Sequence, residues 1–388
     1  MEQQPAKSSV FLPSGEARHR LDAVDALRGL AIFFVLMNHV NMRLFLDKFA
    51  YWQSMPERLR SALVWNGQNG VQIFFVISGF LITSTSLRRW GAQSSIRVGD
   101  FYRLRFARIA PLLLVLLGAL SLLHFAGTPG FVVSHDTGGL GRALFAALTF
   151  HINLLEAQRG YLPASWDILW SLSVEEVFYL FFPLICRWVG RGKWLLVILA
   201  MFVALGPIAR TLLTHGSETW KEVSYLGGMD ALALGCLTAL VLANLRIAPR
   251  ASLSLALAGI CAVVFILGFV AEDDLLARLG LDMTVLAVGT CLIIAATAQA
   301  ARKGTLVLGP LRWLGRRSYE VYLTHMFVVM GFFYLFVMSG RPRTAVTPLF
   351  LAVVVFSGIL EEATARYFSE PLNRMLRHRW QQNSTRAR

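Results

Sequence analysis

Residues 26–46 read ALRGLAIFFVLMNHVNMRLFL. The run is apolar over the roughly 20 residues that one helix needs to cross a bilayer. It nevertheless carries Arg28 and His39. Comparable apolar runs recur at about 69–87, 109–126, 166–186, 194–214, 227–245, 252–271, 281–300, 320–338 and 346–364. A weaker segment at about 141–155 contains Arg142, His151 and Asn153. The pattern predicts an all-α, polytopic membrane bundle of about ten transmembrane helices, with 141–155 as a re-entrant or interfacial piece.

Composition agrees. Of 388 residues, 56% are hydrophobic and 15% are charged, against roughly 25% charged in a soluble domain. Mean hydropathy is +0.56. These values exclude a disordered chain, a small disulfide scaffold and an ordinary soluble enzyme. The net charge is 37 − 23 = +14. The Lys and Arg residues lie in short runs between apolar segments rather than along one soluble face, so no nucleic-acid partner is expected. Cys186, Cys236, Cys261 and Cys291 show neither CxxC nor metal-ligand spacing, so they read as reduced core or lipid-facing residues and no metal is expected.

The basic residues orient the bundle. They cluster at 88–108 (including Arg88, Arg89, Arg103, Arg105 and Arg108), at 187–193 (Arg187, Arg191, Lys193), at Arg246 and Arg250, at 302–317 (Arg302, Lys303, Arg312, Arg316, Arg317) and in the tail (Arg374, Arg377, Arg379). One alternate loop is acidic, with Glu272, Asp273 and Asp274. The positive-inside rule puts the basic clusters in the cytoplasm. A crossing at 141–155 would invert every later loop, so ten spans with both termini cytoplasmic fit best. The expected organisation is a polar N-terminal tail at 1–20 without a cleavable signal, a membrane domain at 21–365, and a basic tail at 366–388.

Ionisable groups inside apolar spans are costly, so each is a functional candidate. Eleven helical steps bring Arg28 and His39 onto one face, about 20° apart and about 16 Å along the axis. In LWSLSVEEVFYLFFP, Glu175 and Glu176 fall mid-helix, and Ser171, Glu175 and Tyr179 share a stripe. In RRSYEVYLTH, Ser318, Tyr322 and His325 share a face. Before Pro111, Arg105 and Arg108 sit where guanidinium forks suit phosphates. Asp230 and Asp282 read as structural.

Taken in order, Asp25 with Arg28-x10-His39, FFVISGFLIT with Ser78 and Gly79, RFARIAP, WSLSVEEVFY and SYEVYLTH resemble the acyltransferase family 3 membrane proteins. The resemblance covers about residues 21–330. Its departures are Gln72 where an acidic residue is usual, Leu104 and Gly228 where Arg is frequent, and Val177 where Gln is frequent. It implies a stand-alone multi-pass enzyme of the bacterial inner membrane, without the esterase-like domain some members append. Such an enzyme moves an acyl group, acetyl in the expected case, from cytoplasmic acyl-CoA to a hydroxyl of a carbohydrate, glycolipid or small macrolide-like acceptor.

In that implied mechanism His39 is the general base. Glu175 orients an imidazole or offsets its charge. Arg28, Arg105 and Arg108 hold the CoA phosphates, and Ser78, Tyr322 and His325 contact the thioester or its oxyanion. Polysaccharide O-acetylation is the corresponding expectation. The competing reading from the residues alone is a proton-coupled transporter or flippase, although no inverted repeat supports one.

Overall fold

The computed structural model describes residues 22–46, 49–190, 193–214, 217–271, 273–299 and 306–386. The N-terminal tail, Arg191, Glu272, Arg302 and Lys303 lie outside the described residues. Ten principal helices stand where the ten apolar runs predict them: α1 (Asp22–Leu44), α2 (Gly67–Trp90), α3 (Val98–Phe125), α4 (Leu169–Val189), α5 (Trp194–Thr211), α6 (Tyr225–Asn244), α7 (Pro249–Phe269), α8 (Asp282–Ala298), α9 (Ser318–Met338) and α10 (Val346–Thr364). Among the described residues, nine helical stretches are long and apolar enough to cross a membrane, and α8, at 17 residues, is shorter. The protein is a multi-pass membrane protein with an all-α bundle.

Local chemistry sets several boundaries. Ser224 accepts a hydrogen bond from the Gly227 N–H and opens α6. Pro249 starts α7 with its fixed φ. Gly91, at φ 76°, ends α2 in a conformation that a side chain would strain. Segment 141–155 forms two short helices, Gly139–Leu148 and Ile152–Arg159, separated at Phe150 with φ 57°. Ten helical residues rise only about 15 Å, so neither crosses a core about 30 Å thick. The second helix is tied down by Ser173, which accepts from the Ile152 N–H, and by Asn153, which donates to the Val223 carbonyl.

Two boundaries differ from the sequence expectation. The stretch leading to Arg108 is helical from Val98 rather than a loop, because its Arg and Leu residues favour helix and its one glycine before Pro111, Gly99, falls in the first turn. Arg105 and Arg108 therefore share a face one turn apart. The basic tail is also helical: α11 (Glu370–Arg386) continues α10 through a π-turn at Ala365–Ser369.

Hydropathy makes every span look alike, whereas packing separates them. The most apolar windows of α4 and α7 are 67% and 17% buried, which puts α4 at the centre and α7 at the lipid face. Helices α1, α2, α4, α6 and α9 form the interior. Glycines set the closest approach. A Cβ on Gly79 would stand 1.9 Å from the Leu232 carbonyl oxygen, and one on Gly235 would stand 2.0 Å from that of Val76. The α2 and α6 backbones thus touch through small residues, the contact that replaces hydrophobic driving force inside lipid. Gly79→Ala is expected to cost about 1–3 kcal/mol through overpacking, read as a lower thermal midpoint in detergent. An unchanged midpoint would remove this contact from the stabilising set.

Candidate active site

The centre of the bundle holds a cavity of about 250 Å³. Arg28 of α1, Ser78 of α2, Arg105 and Arg108 of α3, Glu175 of α4 and Tyr322 of α9 line it. Five helices far apart in sequence therefore bring six of the eight expected site residues to one space. His39 and His325 are not on its wall. They follow beyond Tyr322 as a ladder of rings, with centroids 5.9 Å apart from Tyr322 to His325 and 5.0 Å from His325 to His39.

The imidazoles are fixed through their acceptors. His39 Nδ1 lies 2.8 Å from the Val35 carbonyl oxygen one turn back. His325 Nδ1 lies 2.8 Å from the Tyr322 carbonyl oxygen. A carbonyl only accepts, so both rings carry their proton on Nδ1. His325 Nε2 then presents its lone pair to the His39 Nδ1–H at 3.4 Å. His39 Nε2 remains free to take a proton. His325 is fully buried and His39 partly so.

The carboxylates occupy a different part of the site. Glu175 accepts from Ser78 Oγ at 2.8 Å and from the Tyr179 hydroxyl at 2.7 Å. The expectation that Glu175 steadies a catalytic imidazole is thus not met by this geometry, in which the His39 neighbour is His325. Position 175 faces α2 and α3, whereas the histidines meet between α1 and α9. Arg105 also departs from its expected role as a free phosphate ligand. Its guanidinium is 2.6 Å from Glu176 and 3.7 Å from Glu175, and it lies 3.8 Å over the Tyr179 ring. Two carboxylates and an aromatic face satisfy that charge.

Three groups expected to contact the thioester are similarly committed. Ser78 donates to Glu175. Tyr322 donates its one hydroxyl proton to the Ile168 carbonyl at 2.9 Å and meets Ser171 Oγ at 2.6 Å. Both ring nitrogens of His325 are engaged. Arg28 is held only loosely, 3.9 Å from Asp25. The sequence reading missed Arg89 and Arg377, which also line the cavity. It had counted both as orienting charge, and a single sequence carries no signal that separates them from the other basic residues.

Asp230 is structural, as expected. It sits in a buried knot with Arg210 at 2.8 Å, Thr284 at 2.7 Å and Gln72 at 3.1 Å. Gln72 occurs where the resemblance leads one to expect a carboxylate, and its amide donates to Asp230. All four cysteines are free, three buried and Cys261 exposed.

The profile of the family described as "Acyltransferase domain", acyltransferase family 3, matches residues 21–362. The chain is 28% identical over 330 residues to the peptidoglycan O-acetyltransferase OatA of Listeria monocytogenes, covering 80% of this chain and 49% of that protein. It is 24% identical to the O-acetyltransferase OatA of Staphylococcus aureus, covering 91% of this chain and 57% of the relative. It is 26% identical to the putative peptidoglycan O-acetyltransferase YrhL of Bacillus subtilis, covering 91% and 55%. The chain thus spans about half the length of these relatives. No solved structure matches.

Proposed function

This chain belongs to acyltransferase family 3, and we propose that it is a membrane O-acyltransferase of a bacterial inner membrane that transfers an acyl group, acetyl in the simplest case, from acyl-CoA to a hydroxyl of a carbohydrate acceptor. The relatives named for peptidoglycan O-acetylation support a glycan acceptor. The basic clusters would orient the Arg28 end of α1 toward the cytoplasm. CoA is a polyanion on a long thin arm. Arg28 and Arg108 would meet its phosphates, and the arm would run along α1 for the roughly 16 Å that separates Arg28 from His39.

The observation that carries the chemistry is the free Nε2 of His39. With Nδ1–H fixed on Val35, this nitrogen would accept the acceptor hydroxyl's proton as the oxygen attacks the thioester carbonyl. The carbon–sulfur bond then breaks, and the His39 imidazolium returns the proton to the departing thiolate. The His325 lone pair, facing the Nδ1–H of His39, would stabilise the imidazolium meanwhile. Glu175 and Glu176 would act by positioning Ser78, Tyr179 and Arg105 at the cavity wall.

The direct test is release of free thiol from acetyl-CoA by purified protein, dependent on added peptidoglycan fragments. No acceptor-dependent thiol release would overturn the assignment. For the pair, His325→Ala is expected to lower kcat roughly tenfold, about 1.4 kcal/mol, with little change in donor KM. His325→Asn, whose amide oxygen also accepts, is expected to recover part of that loss. Equal kcat in His325→Ala and wild type would leave His325 without a positioning role.

A further inference from the structure

The sequence treats the basic tail as charge that orients the chain, yet the fold brings one of its arginines to the cavity. Arg89 from the last turn of α2, Arg108 of α3 and Arg377 of α11 line the same space. Among the described residues, no carboxylate stands at ion-pair distance from any of the three.

Their neighbours make the contrast. Arg105, one turn before Arg108 on the same helix, is paired with Glu176. Arg374, one turn before Arg377, is paired with Glu370 at 3.0 Å. Arg88, beside Arg89, donates to Thr85 Oγ1 at 3.4 Å. Arg89, Arg108 and Arg377 thus line one cavity with no carboxylate among the described residues to neutralise them, where Arg105 on the same wall has one. Like charges brought together repel, so the arrangement favours a ligand that supplies several negative charges at once.

The tail is held in place for this role. Glu370 at its start is 3.1 Å from Arg317, and Trp380 packs on Phe106 of α3 with ring centroids 6.4 Å apart. Trp380 lies three residues after Arg377, on the same side of the helix. Docking the tryptophan on α3 therefore sets Arg377 over the mouth of the cavity.

We infer that α11 is part of the donor site, and that Arg89, Arg108 and Arg377 form a three-arginine clamp for the phosphates of the acyl donor. The inference rests on the acyl-CoA reading given above. Its chemistry, guanidinium forks on phosphate oxygens, would also suit a phospholipid headgroup, so the test must separate the two sources.

Wild type, Arg377→Gln and Trp380→Ala would be purified in neutral and in anionic nanodiscs, with thermal midpoints confirming the fold. Acetyl-CoA and S-acetylpantetheine, which lacks every phosphate, would be compared as donors. Arg377→Gln is expected to raise the apparent acetyl-CoA constant about tenfold, equivalent to about 1.4 kcal/mol, with the change in KM rather than kcat. With S-acetylpantetheine, wild type and variant should coincide. Trp380→Ala should shift acetyl-CoA use in the same direction. Wild-type turnover with an unchanged acetyl-CoA constant in Arg377→Gln would overturn the clamp and leave the acyltransferase reading standing. A difference seen only in anionic nanodiscs would assign the arginines to lipid headgroups and overturn the donor role. Failure of wild type itself to use acetyl-CoA would remove both readings.

Discussion

His39→Ala should lose roughly 10²- to 10⁴-fold in acyl transfer, the usual contribution of a positioned general base. The thermal midpoint should stay close to wild type. The His39 ring donates to a carbonyl of its own helix and touches one other ring, so its removal leaves no buried charge behind. Donor binding should also persist, because the arginines that would hold the phosphates belong to the cavity wall and His39 does not. The informative pattern is therefore a fall in kcat with the donor constant preserved. Full transfer in His39→Ala would mean that another group takes the hydroxyl proton. A fall confined to donor affinity would place His39 in binding rather than chemistry.

Much of this architecture was legible in the sequence, for a definite reason. A membrane helix has to satisfy its backbone internally and be apolar for about 20 residues. Helix positions and approximate boundaries thus follow from hydropathy, while the reading of 141–155 as non-spanning follows from the alternation of basic loops. Charges inside spans are rare enough that Arg28, His39, Glu175 and His325 stood out individually.

Partner choice was not legible, because helical periodicity gives the face of a residue and not the helix opposite. His325 could be placed on a stripe with Tyr322, but its contact with His39 depends on how α9 lies against α1. Arg105 and Arg108 share a face of α3, and only one of them meets a carboxylate of α4. The role of Arg377 depends on a tail helix whose polar sequence has no membrane signature. The departures from the family pattern followed the same rule. Gln72 looked like a lost acidic residue until Asp230 appeared as its partner.

That partner belongs to the second large effect. Arg210→Ala is expected to destabilise the protein by about 3–5 kcal/mol, the range for removing one member of a buried ion pair. The Arg210 guanidinium binds Asp230, Thr284 and the backbone carbonyls of Gly227 and Gly280. It therefore joins α5 and α6 to the start of α8 and the turn before it. Asp230 is wholly buried, and Gln72 and Thr284 also donate to it. Neutral donors at 3.1 and 2.7 Å do not offset a full negative charge once the arginine is gone. The loss should appear as a lower thermal midpoint in detergent and poor recovery of folded protein. Asp230→Asn should cost less than Arg210→Ala, because the amide oxygen still accepts from Arg210 and the Gly227 and Gly280 carbonyls continue to hold the guanidinium. In the double variant Arg210→Met/Asp230→Leu the two losses should not add, since neither charge is then stranded. If Arg210→Ala melts with wild type, or if the double variant shows the full sum of the single effects, the knot does not hold these helices together as an ion pair.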